Sequence, residues 1–161
     1  MRVGFGFDAH RFAAGRKLIL GGTVIPHDQG LLGHSDADVL THAIIDALLG
    51  AASMSDIGTL FPDTDPQYRD ISSLELLRRV WCLVSARGLR VGNIDATVVC
   101  EAPRIGPQVE AMKQQLAPVL GLSPELVSIK GKTSEKMGFT GRGEGIAAYA
   151  VVLLETAPTD R

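Results

Sequence analysis

The segment GHSDADVLTHAIIDALLG, Gly33 to Gly50, has the pattern of an amphipathic helix that carries a polar row of Asp38, His42 and Asp46. Residues four positions apart lie on the same side of a helix, so these three side chains share one face. Ser35 is a good N-cap, and Asp38 three residues later resembles the acidic half of a capping box. The segment therefore predicts a helix that begins near Ser35 and carries polar groups on a largely apolar surface.

A strand pattern precedes this helix at the N-terminus. In the segment RVGFGFDAH, apolar residues alternate with small or polar ones, which is the period of a strand with one buried face. The apolar positions, expected to form that buried face, are Val3, Phe5 and Phe7. Asp8 and His10 share the other face, because alternate strand residues point the same way.

Helix and strand patterns continue through the rest of the chain. Short strands are predicted in KLILGG (17–22) and TVIPH (23–27), helices in SSLELLRRVWCLVSARG (72–88) and PQVEAMKQQLAPVLG (107–121), and strands in LRVGNIDATVVCEAP (89–103), LVSIKGKTS (126–134) and GIAAYAVVLLE (145–155). The apolar run of the last strand predicts deep burial. The mixture favours an α/β (α+β) fold, a two-layer sandwich with a mixed sheet. We expect a single domain over residues 1–157 and a frayed tail at 158–161.

The composition indicates a globular domain that binds small molecules. The 161 residues are 45% hydrophobic and 21% charged, with a formal net charge of −2. No lysine- or arginine-rich run is present, so the sequence does not favour nucleic acid or an anionic membrane as a partner. Cys82 and Cys100 lie in apolar segments without metal-ligand spacing, as reduced thiols of cytoplasmic proteins do. We therefore expect a cytoplasmic protein with a small-molecule substrate.

Two histidines and a carboxylate form a candidate metal site. Asp8 and His10 project from one strand face, and His42 could supply a third ligand from the neighbouring helix. Three protein ligands with an open fourth position are the pattern of catalytic zinc. The same ligand set occurs in non-haem iron oxygenases, and spacing does not separate the two metals. Asp38 or Asp46, one turn either side of His42, would then orient its imidazole.

Purely structural roles for the same residues remain open on spacing alone. His10 can simply end a strand, and Asp8 can lie in a turn. Asp38 can serve only the capping box and the helix dipole.

Two polar loops have compositions suited to phosphate or metal. The segment GKTSEKMGFTGRGEG (131–145) combines backbone amides with hydroxyl and cationic groups that can hold phosphate oxygens, although a plain surface loop has the same composition. The groups in question are Lys132, Thr133, Ser134 and Arg142. The segment DIGTLFPDTD (56–65) carries three carboxylates that either cap turns or bind a second metal or sugar hydroxyls. They belong to Asp56, Asp63 and Asp65.

Taken together, these segments resemble the 2-C-methyl-D-erythritol 2,4-cyclodiphosphate synthase family of the non-mevalonate isoprenoid pathway. The resemblance runs nearly end to end, in GFDAHRF (6–12), LGGTVIPHDQGLLGHSDADVLTHAIIDALLGAA (20–52), DIGTLFPDTD (56–65), EAPR (101–104) and EKMGFTGRGEGI (135–146). It implies a homotrimer with active sites at subunit interfaces. The implied reaction is a ring closure in which the substrate's 2-phosphate attacks the β-phosphate of its cytidine diphosphate and releases CMP.

The resemblance also implies roles for individual residues. Asp8, His10 and His42 match the zinc ligands, and Glu135 matches a ligand of a second ion, Mg²⁺ or Mn²⁺. His34 and Thr133 match the transition-state stabilisers. Positions that match the binding of the diphosphate and methylerythritol phosphate are Asp8, His10, His34, Ser35, Asp56, Ile57, Gly58, Phe61, Pro62, Asp63, Thr64 and Asp65. Positions that match the cytidine site or lie near it are Cys100, Glu101, Ala102, Pro103, Arg104, Ile105, Gly106, Lys132, Thr133, Ser134, Glu135, Phe139 and Arg142.

Two rival functions are compatible with the same three ligands. An iron-dependent oxygenase would contain iron and consume dioxygen. A metal-stabilised binding protein for isoprenoids or nucleotides would use Asp8, His10 and His42 only to hold the fold.

Overall fold

A computed structural model describes residues 1–157, so the predicted frayed tail at 158–161 lies outside the described residues. The strands are β1 (Arg2–Ala13), β2 (Leu18–Leu20), β3 (Thr23–Ile25), β4 (Gly30–Leu31), β5 (Leu89–Val99), β6 (Val127–Lys132) and β7 (Gly145–Thr156). The helices are α1 (Val39–Ala51), α2 (Ile57–Leu60), α3 (Ser73–Ser85), α4 (Val109–Val119) and α5 (Gly138–Gly141), with 3-10 turns at Pro66–Tyr68, Gly106–Gln108 and Pro124–Leu126. The short helices α2 and α5 lie in segments whose composition predicts loops.

A five-stranded sheet forms one layer, with the strand order β4-β1-β7-β5-β6. Neighbouring strands are antiparallel except for the parallel pair β5 and β6. Helix α1 packs across β1 and β7, while α3 contacts α1, β5 and α4. The buried apolar side chains of the sheet and helices form one core. The predicted two-layer arrangement with a mixed sheet is therefore confirmed.

The buried face of β1 is the opposite of the one predicted. Val3 and Phe5 are 70% and 62% exposed, whereas Gly4 and Gly6 are buried against α1. A Cβ atom on Gly4 or Gly6 would lie 1.8 or 1.9 Å from a carbonyl oxygen of α1. The glycines let the helix backbone approach the strand, so the small residues face the core. Asp8 therefore points to the same side as α1.

The exposed side of the sheet carries a patch that we call the outer apolar face. It consists of Val3, Phe5, Phe7, Tyr149 and Val151, each at least 41% exposed. The Tyr149 ring lies 5.0 Å from that of Phe7 and 6.3 Å from that of Phe5, measured between centroids. The deep burial predicted for the last strand is thus wrong at Tyr149 and Val151, because β7 alternates between the core and this face.

Helix α1 begins three residues later than predicted. Its N-cap is Asp38, which accepts a hydrogen bond from the Thr41 amide at 3.0 Å, and Ser35 lies outside the helix. The Asp38 carboxylate is fully buried and also accepts hydrogen bonds from the amides of Gly21 and Gly22 at 2.9 and 2.7 Å. Asp38 therefore ties the β2–β3 turn to the start of α1. Among the described helices, none has the length and apolarity needed to cross a membrane.

Candidate active site

Strand β1 and helix α1 bring Asp8, His10 and His42 together. Asp8 Oδ2 lies 2.9 Å from His10 Nε2 and 3.0 Å from His42 Nδ1. The two imidazole nitrogens are 3.2 Å apart. Within residues 1–157, these three form the one group of three or more potential ligands close enough to share a metal ion. The sequence prediction that they converge is confirmed.

The geometry of the three ligand atoms fits a divalent metal. In a tetrahedral zinc site with bonds of 2.0–2.1 Å, neighbouring ligand atoms lie about 3.3 Å apart. The observed separations of 2.9–3.2 Å require an opening of only a few tenths of an ångström. His10 Nδ1 lies 2.8 Å from the Leu32 carbonyl oxygen, to which it donates, so its Nε2 is left to bind metal.

The pKa values of Asp8 and His10 are shifted in opposite directions by their interaction with each other. Burial works to raise the pKa of Asp8, but the interactions with His10 and His42, including the charge of each imidazole when protonated, outweigh that effect and lower it overall. Burial likewise works to lower the pKa of His10, yet the hydrogen bond and charge of Asp8 raise it overall. The arrangement stabilises an ionised carboxylate beside positive charge, as a cation site does.

The predicted role of Asp38 as a hydrogen-bonding partner of His42 is wrong. Its oxygens are taken by Gly21, Gly22 and Thr41, because the carboxylate caps α1. Burial, followed by the charge of Asp36, raises its pKa.

Asp46 does not orient His42 through a hydrogen bond either. Its carboxylate accepts from the Ile57 amide at 2.9 Å and so fixes the start of α2. Burial raises the pKa of Asp46, and the charges of Asp56 and Asp8 add to that rise. The neighbours of His42 Nε2 are instead the hydroxyls of Ser73, at 2.9 Å, and Ser35, at 3.2 Å.

The three candidate ligands lie in a cavity of about 310 Å³. Six further lining residues are among those predicted to bind substrate, namely His34, Ser35, Ile57, Gly58, Phe61 and Asp63. Gly33, Tyr68 and Leu76 also line the cavity and were not predicted. Their sequence contexts, a loop glycine, a loop tyrosine and a helix leucine, carry no functional signal. Asp56, Pro62, Thr64 and Asp65 do not line this cavity.

His34 connects the cavity to the loop that follows α2. Its Nε2 lies 3.1 Å from the Asp65 carbonyl oxygen, and its own carbonyl accepts from the Asp70 amide at 2.8 Å. Asp56 caps α2 through the Thr59 amide, so this carboxylate has the turn-capping role that the sequence left open. Asp65 caps the next 3-10 turn in the same way.

A second cavity, of about 420 Å³, lies at the ends of β5 and β6. Nine lining residues belong to the two segments at the ends of these strands, namely Cys100, Glu101, Pro103, Arg104, Ile105, Gly106, Gly131, Lys132 and Thr133. The tenth lining residue, Pro107, is not among the predicted binding residues. Gly131 was not a predicted binding residue. The Cys100 amide donates to the Lys132 carbonyl at 3.0 Å, which joins the two segments.

Glu101 fixes the loop that leaves β6. One oxygen of its carboxylate accepts from the amides of Ser134 and Lys136 at 3.1 and 3.2 Å. Thr133 donates its hydroxyl hydrogen to Glu135 at 2.9 Å, and both side chains are exposed. Ala102, Ser134 and Glu135 do not line the second cavity.

Phe139 and Arg142 lie apart from the second cavity. Phe139 lines a smaller space of about 220 Å³ beside His10, Arg11 and Glu144. Arg142 donates its Nε hydrogen to Glu144 at 2.6 Å, which raises the pKa of Arg142.

The two main cavities lie at the same end of the sheet and share no lining residue. Asp8 on β1 is in register with Ala148 on β7, which is in register with Val98 on β5 and, through it, Gly131 on β6. Three strand spacings of about 4.8 Å separate β1 from β6, or about 14 Å. His34 and Thr133, the predicted transition-state stabilisers, therefore belong to different cavities of one chain.

Comparison with known proteins places this geometry in a family. The model of the YgbB family matches residues 1–155. A 2-C-methyl-D-erythritol 2,4-cyclodiphosphate synthase of Syntrophomonas wolfei is 57% identical over 157 residues, which cover 98% of this chain and 100% of that protein. The bifunctional enzyme IspD/IspF of Desulforudis audaxviator is 59% identical over 161 residues. The match covers 99% of this chain but only 41% of the bifunctional protein's length.

The fold has a solved counterpart. The structure of IspF from Plasmodium falciparum in complex with CDP is 33% identical, with a TM-score of 0.86. The match covers 98% of this chain and 97% of that one. Because the family model spans nearly all of the chain and a relative of equal length shares more than half of its residues, the chain belongs to the YgbB family, the family of the 2-C-methyl-D-erythritol 2,4-cyclodiphosphate synthases.

Proposed function

We propose that this protein converts 4-diphosphocytidyl-2-C-methyl-D-erythritol 2-phosphate to 2-C-methyl-D-erythritol 2,4-cyclodiphosphate and CMP, as a phosphorus–oxygen lyase of the non-mevalonate isoprenoid pathway. The observation that carries the proposal is the convergence of Asp8, His10 and His42 in a cavity that His34 and Ser35 also line. The names of the relatives agree with it. We take residues 1–157 as the single domain that performs the reaction.

The reaction needs positioning more than it needs a protein nucleophile. A bond forms between an oxygen of the substrate's 2-phosphate and the β-phosphorus, and the bond from that phosphorus to the α–β bridging oxygen breaks, so that CMP leaves. Two negatively charged groups must come into contact, and fixed polar groups offset their repulsion. Effective molarities of about 10⁵ M or more make such intramolecular reactions fast once the ends are aligned. His34 and Thr133 are the proposed transition-state stabilisers.

Asp8, His10 and His42 would hold Zn²⁺, leaving one coordination position for the substrate. When bound, zinc supplies positive charge and Lewis acidity at a phosphate oxygen. Glu135 is proposed as a ligand of a second ion, Mg²⁺ or Mn²⁺, bound together with the diphosphate. In support of this, Glu135 is exposed and accepts a hydrogen bond from Thr133, which lines the proposed cytidine cavity.

The substrate is proposed to lie across both cavities. Its methylerythritol and diphosphate portions would bind at His34, Ser35 and the segments 56–58 and 61–65. Its cytidine would bind at the segments 100–106 and 132–135, with Phe139 and Arg142 near it. The CDP complex of the Plasmodium falciparum relative supports a cytidine nucleotide as ligand.

We also propose that the protein is a homotrimer with shared active sites. The outer apolar face gives each subunit a surface that association would remove from water. In one chain, strand β1, which carries Asp8, and strand β6, which ends at the second cavity, lie about 14 Å apart across the sheet. In a closed ring, the second cavity of one subunit can lie against the first cavity of its neighbour.

The cytoplasm is the proposed compartment. Support comes from the cysteines, since Cys82 and Cys100 are both free thiols. Proteins with unpaired cysteines are typical of reducing compartments.

Oxygen-18 labelling tests the proposed reaction. Turnover of the cytidine substrate in ¹⁸O-enriched water should give a cyclic diphosphate and CMP without label in either product, as weighed by mass spectrometry. Label in CMP, or an open-chain bisphosphate, would contradict the ring closure and indicate a pyrophosphatase. Elemental analysis of the same preparation should find zinc; bound iron with dioxygen consumption would favour the oxygenase instead.

A further inference from the structure

We propose that Ser73 and Asp36 act as positioning residues for the metal site, by fixing His42 in the tautomer that carries its hydrogen on Nε2. Neither residue was predicted to take part in the site. The inference rests on the metal site of the proposed function, but it does not depend on which reaction follows.

The contacts begin at the side of His42 that faces away from Asp8. His42 Nε2 lies 2.9 Å from the Ser73 hydroxyl oxygen. That hydroxyl is in close contact with Asp36 Oδ1, and the Ser73 amide donates to Asp36 Oδ2 at 3.0 Å. Ser73 is fully buried and His42 is 8% exposed. Water therefore has little access to the contact between Ser73 and His42, whereas Asp36 is partly exposed.

The chemistry of the three groups determines where the hydrogens lie. An ionised carboxylate only accepts hydrogen bonds, so the Ser73 hydroxyl donates its one hydrogen to Asp36. The Ser73 oxygen is then left as an acceptor toward His42, so the hydrogen of this shorter contact belongs to His42 Nε2. The Ser35 hydroxyl oxygen, 3.2 Å from the same nitrogen, is a second acceptor for that hydrogen. Nδ1 consequently offers a lone pair, 3.0 Å from Asp8 Oδ2 and 3.2 Å from His10 Nε2. The ligand atom of His42 is thus selected from the opposite side of its ring.

Asp36 is itself held by the backbone. Its amide donates to the Ile71 carbonyl at 3.1 Å, and its Oδ1 accepts from the Asp38 amide at 3.2 Å. Asp36 lies before α1, and Ser73 is the first residue of α3. The interaction therefore links the helix that carries His42 to the neighbouring helix.

Capping of α3 alone does not account for the Ser73 side chain. The bond from the Ser73 amide to Asp36 already satisfies a donor at the start of α3, and alanine at position 73 would keep it. The hydroxyl is needed only to connect Asp36 with His42. Replacing it with hydrogen should therefore weaken metal binding more than it disturbs the helix.

The test compares zinc affinity in Ser73→Ala with that in Ser72→Ala. Ser72 is the exposed N-cap of α3, and its side chain makes no capping hydrogen bond, so it is a matched control. Zinc dissociation constants are measured by competition with a chromogenic chelator, without substrate. We expect Ser73→Ala to raise the constant by about 10- to 100-fold, as loss of such partners does elsewhere. An unchanged affinity in a folded Ser73→Ala protein would overturn the proposal.

A second measurement uses the unaltered zinc-loaded protein and so does not depend on a variant that folds. With ¹⁵N-labelled histidine, two-bond NMR correlations report which ring nitrogen carries hydrogen. We expect hydrogen on Nε2 of His42, and metal coordination through Nδ1. Hydrogen on Nδ1 would overturn the proposal. A protein that binds zinc in this way but does not close the substrate ring would refute the proposed function and leave the role of Ser73 and Asp36 intact.

Discussion

The cavity with the metal ligands and the cavity at the ends of β5 and β6 differ in how much of a site one chain completes. The potential ligands of the first are partly or fully buried, and their ligand atoms lie within 3.2 Å of one another. Among the residues that line the second cavity, Lys132 and Thr133 are exposed. The difference teaches that the metal centre is built within a subunit, whereas the nucleotide side presents groups that await a ligand and, we propose, a neighbouring subunit.

Packing explains the contrast. Asp8 and His10 extend the core-facing row of β1, and His42 lies on the helix that the glycines of that row allow to approach. The second cavity is instead formed by the end of β6 and by the segments that follow β5 and β6, and none of its described lining residues lies in an α-helix. Buried polar groups on packed elements are preorganised, whereas loop groups at a surface are ordered by what they bind.

The largest expected effect comes from removing a metal ligand. His42→Ala should lose bound zinc and reduce turnover by about 10³-fold or more, since one electrostatic donor alone is worth about 10²–10³. The subunits should stay folded and assembled, because an open catalytic site contributes less to folding than a closed structural one. Elemental analysis, steady-state kinetics and light scattering measure these three quantities. Unfolded monomers would show that the metal is structural.

A substitution in strand β1 tests whether the close packing of its glycines against α1 is needed to form the cavity with the metal ligands. A Cβ on Gly6 would lie 1.9 Å from the Ala43 carbonyl oxygen, so Gly6→Ala should lower the free energy of unfolding by roughly 3 kcal/mol or more. Gly50→Ala is the matched control, since its nearest added contact is 3.9 Å. The control should change stability by about 1 kcal/mol at most, in the stabilising direction. Urea unfolding at one protein concentration compares them, and equal stability would contradict the packing argument.

The second cavity also has a buried lining residue, Cys100, although Lys132 and Thr133 of the same lining are exposed. We expect the Cys100 thiol to react slowly with reagents from solvent. Burial, followed by the charge of Glu101, raises the pKa of the Cys100 thiol to about 11. At pH 8 only roughly one Cys100 thiol in 10³ would be ionised, so alkylation should be about 10²-fold slower than for an ordinary free thiol and should accelerate as the pH rises toward 11.

Mass spectrometry of iodoacetamide-treated protein follows this reaction, with Cys82→Ser used to isolate the signal of Cys100. Cys82 is exposed and should be modified first in the unaltered protein. Equal alkylation rates at the two cysteines would mean that Cys100 is accessible to solvent.

The smallest expected signal tests whether the two cavities cooperate between subunits. Asp8→Ala alters only the cavity with the metal ligands, and Thr133→Ala alters only the cavity at the ends of β5 and β6. If sites are shared in a ring, random mixing of the two inactive proteins in equal amounts should restore up to about one quarter of the activity, because one site in four then combines two intact halves. Activity no higher than that of either parent would place the complete site within one subunit.

Local pattern was enough to predict much of the fold. The strand periods, the helix of residues 73–85 and the mixed α/β architecture follow from alternation, apolar spacing and end signals that neighbouring residues carry. The meeting of Asp8, His10 and His42 was also predictable, since strand alternation places the first two on one face. The roles of the remaining site residues stay predictions that rest on family resemblance.

Only the tertiary structure decided which side of β1 is buried and which groups support His42. Periodicity shows that Val3 and Phe5 share a face, but not that α1 packs on the opposite one, where Gly4 and Gly6 leave room. Spacing suggested Asp38 as a partner of His42, yet backbone amides from a distant turn take its carboxylate. The actual partner, Ser73, is 31 residues away from His42. Sequence fixes which residues lie together on one element, whereas burial and long-range hydrogen bonds depend on which elements the folded chain brings into contact.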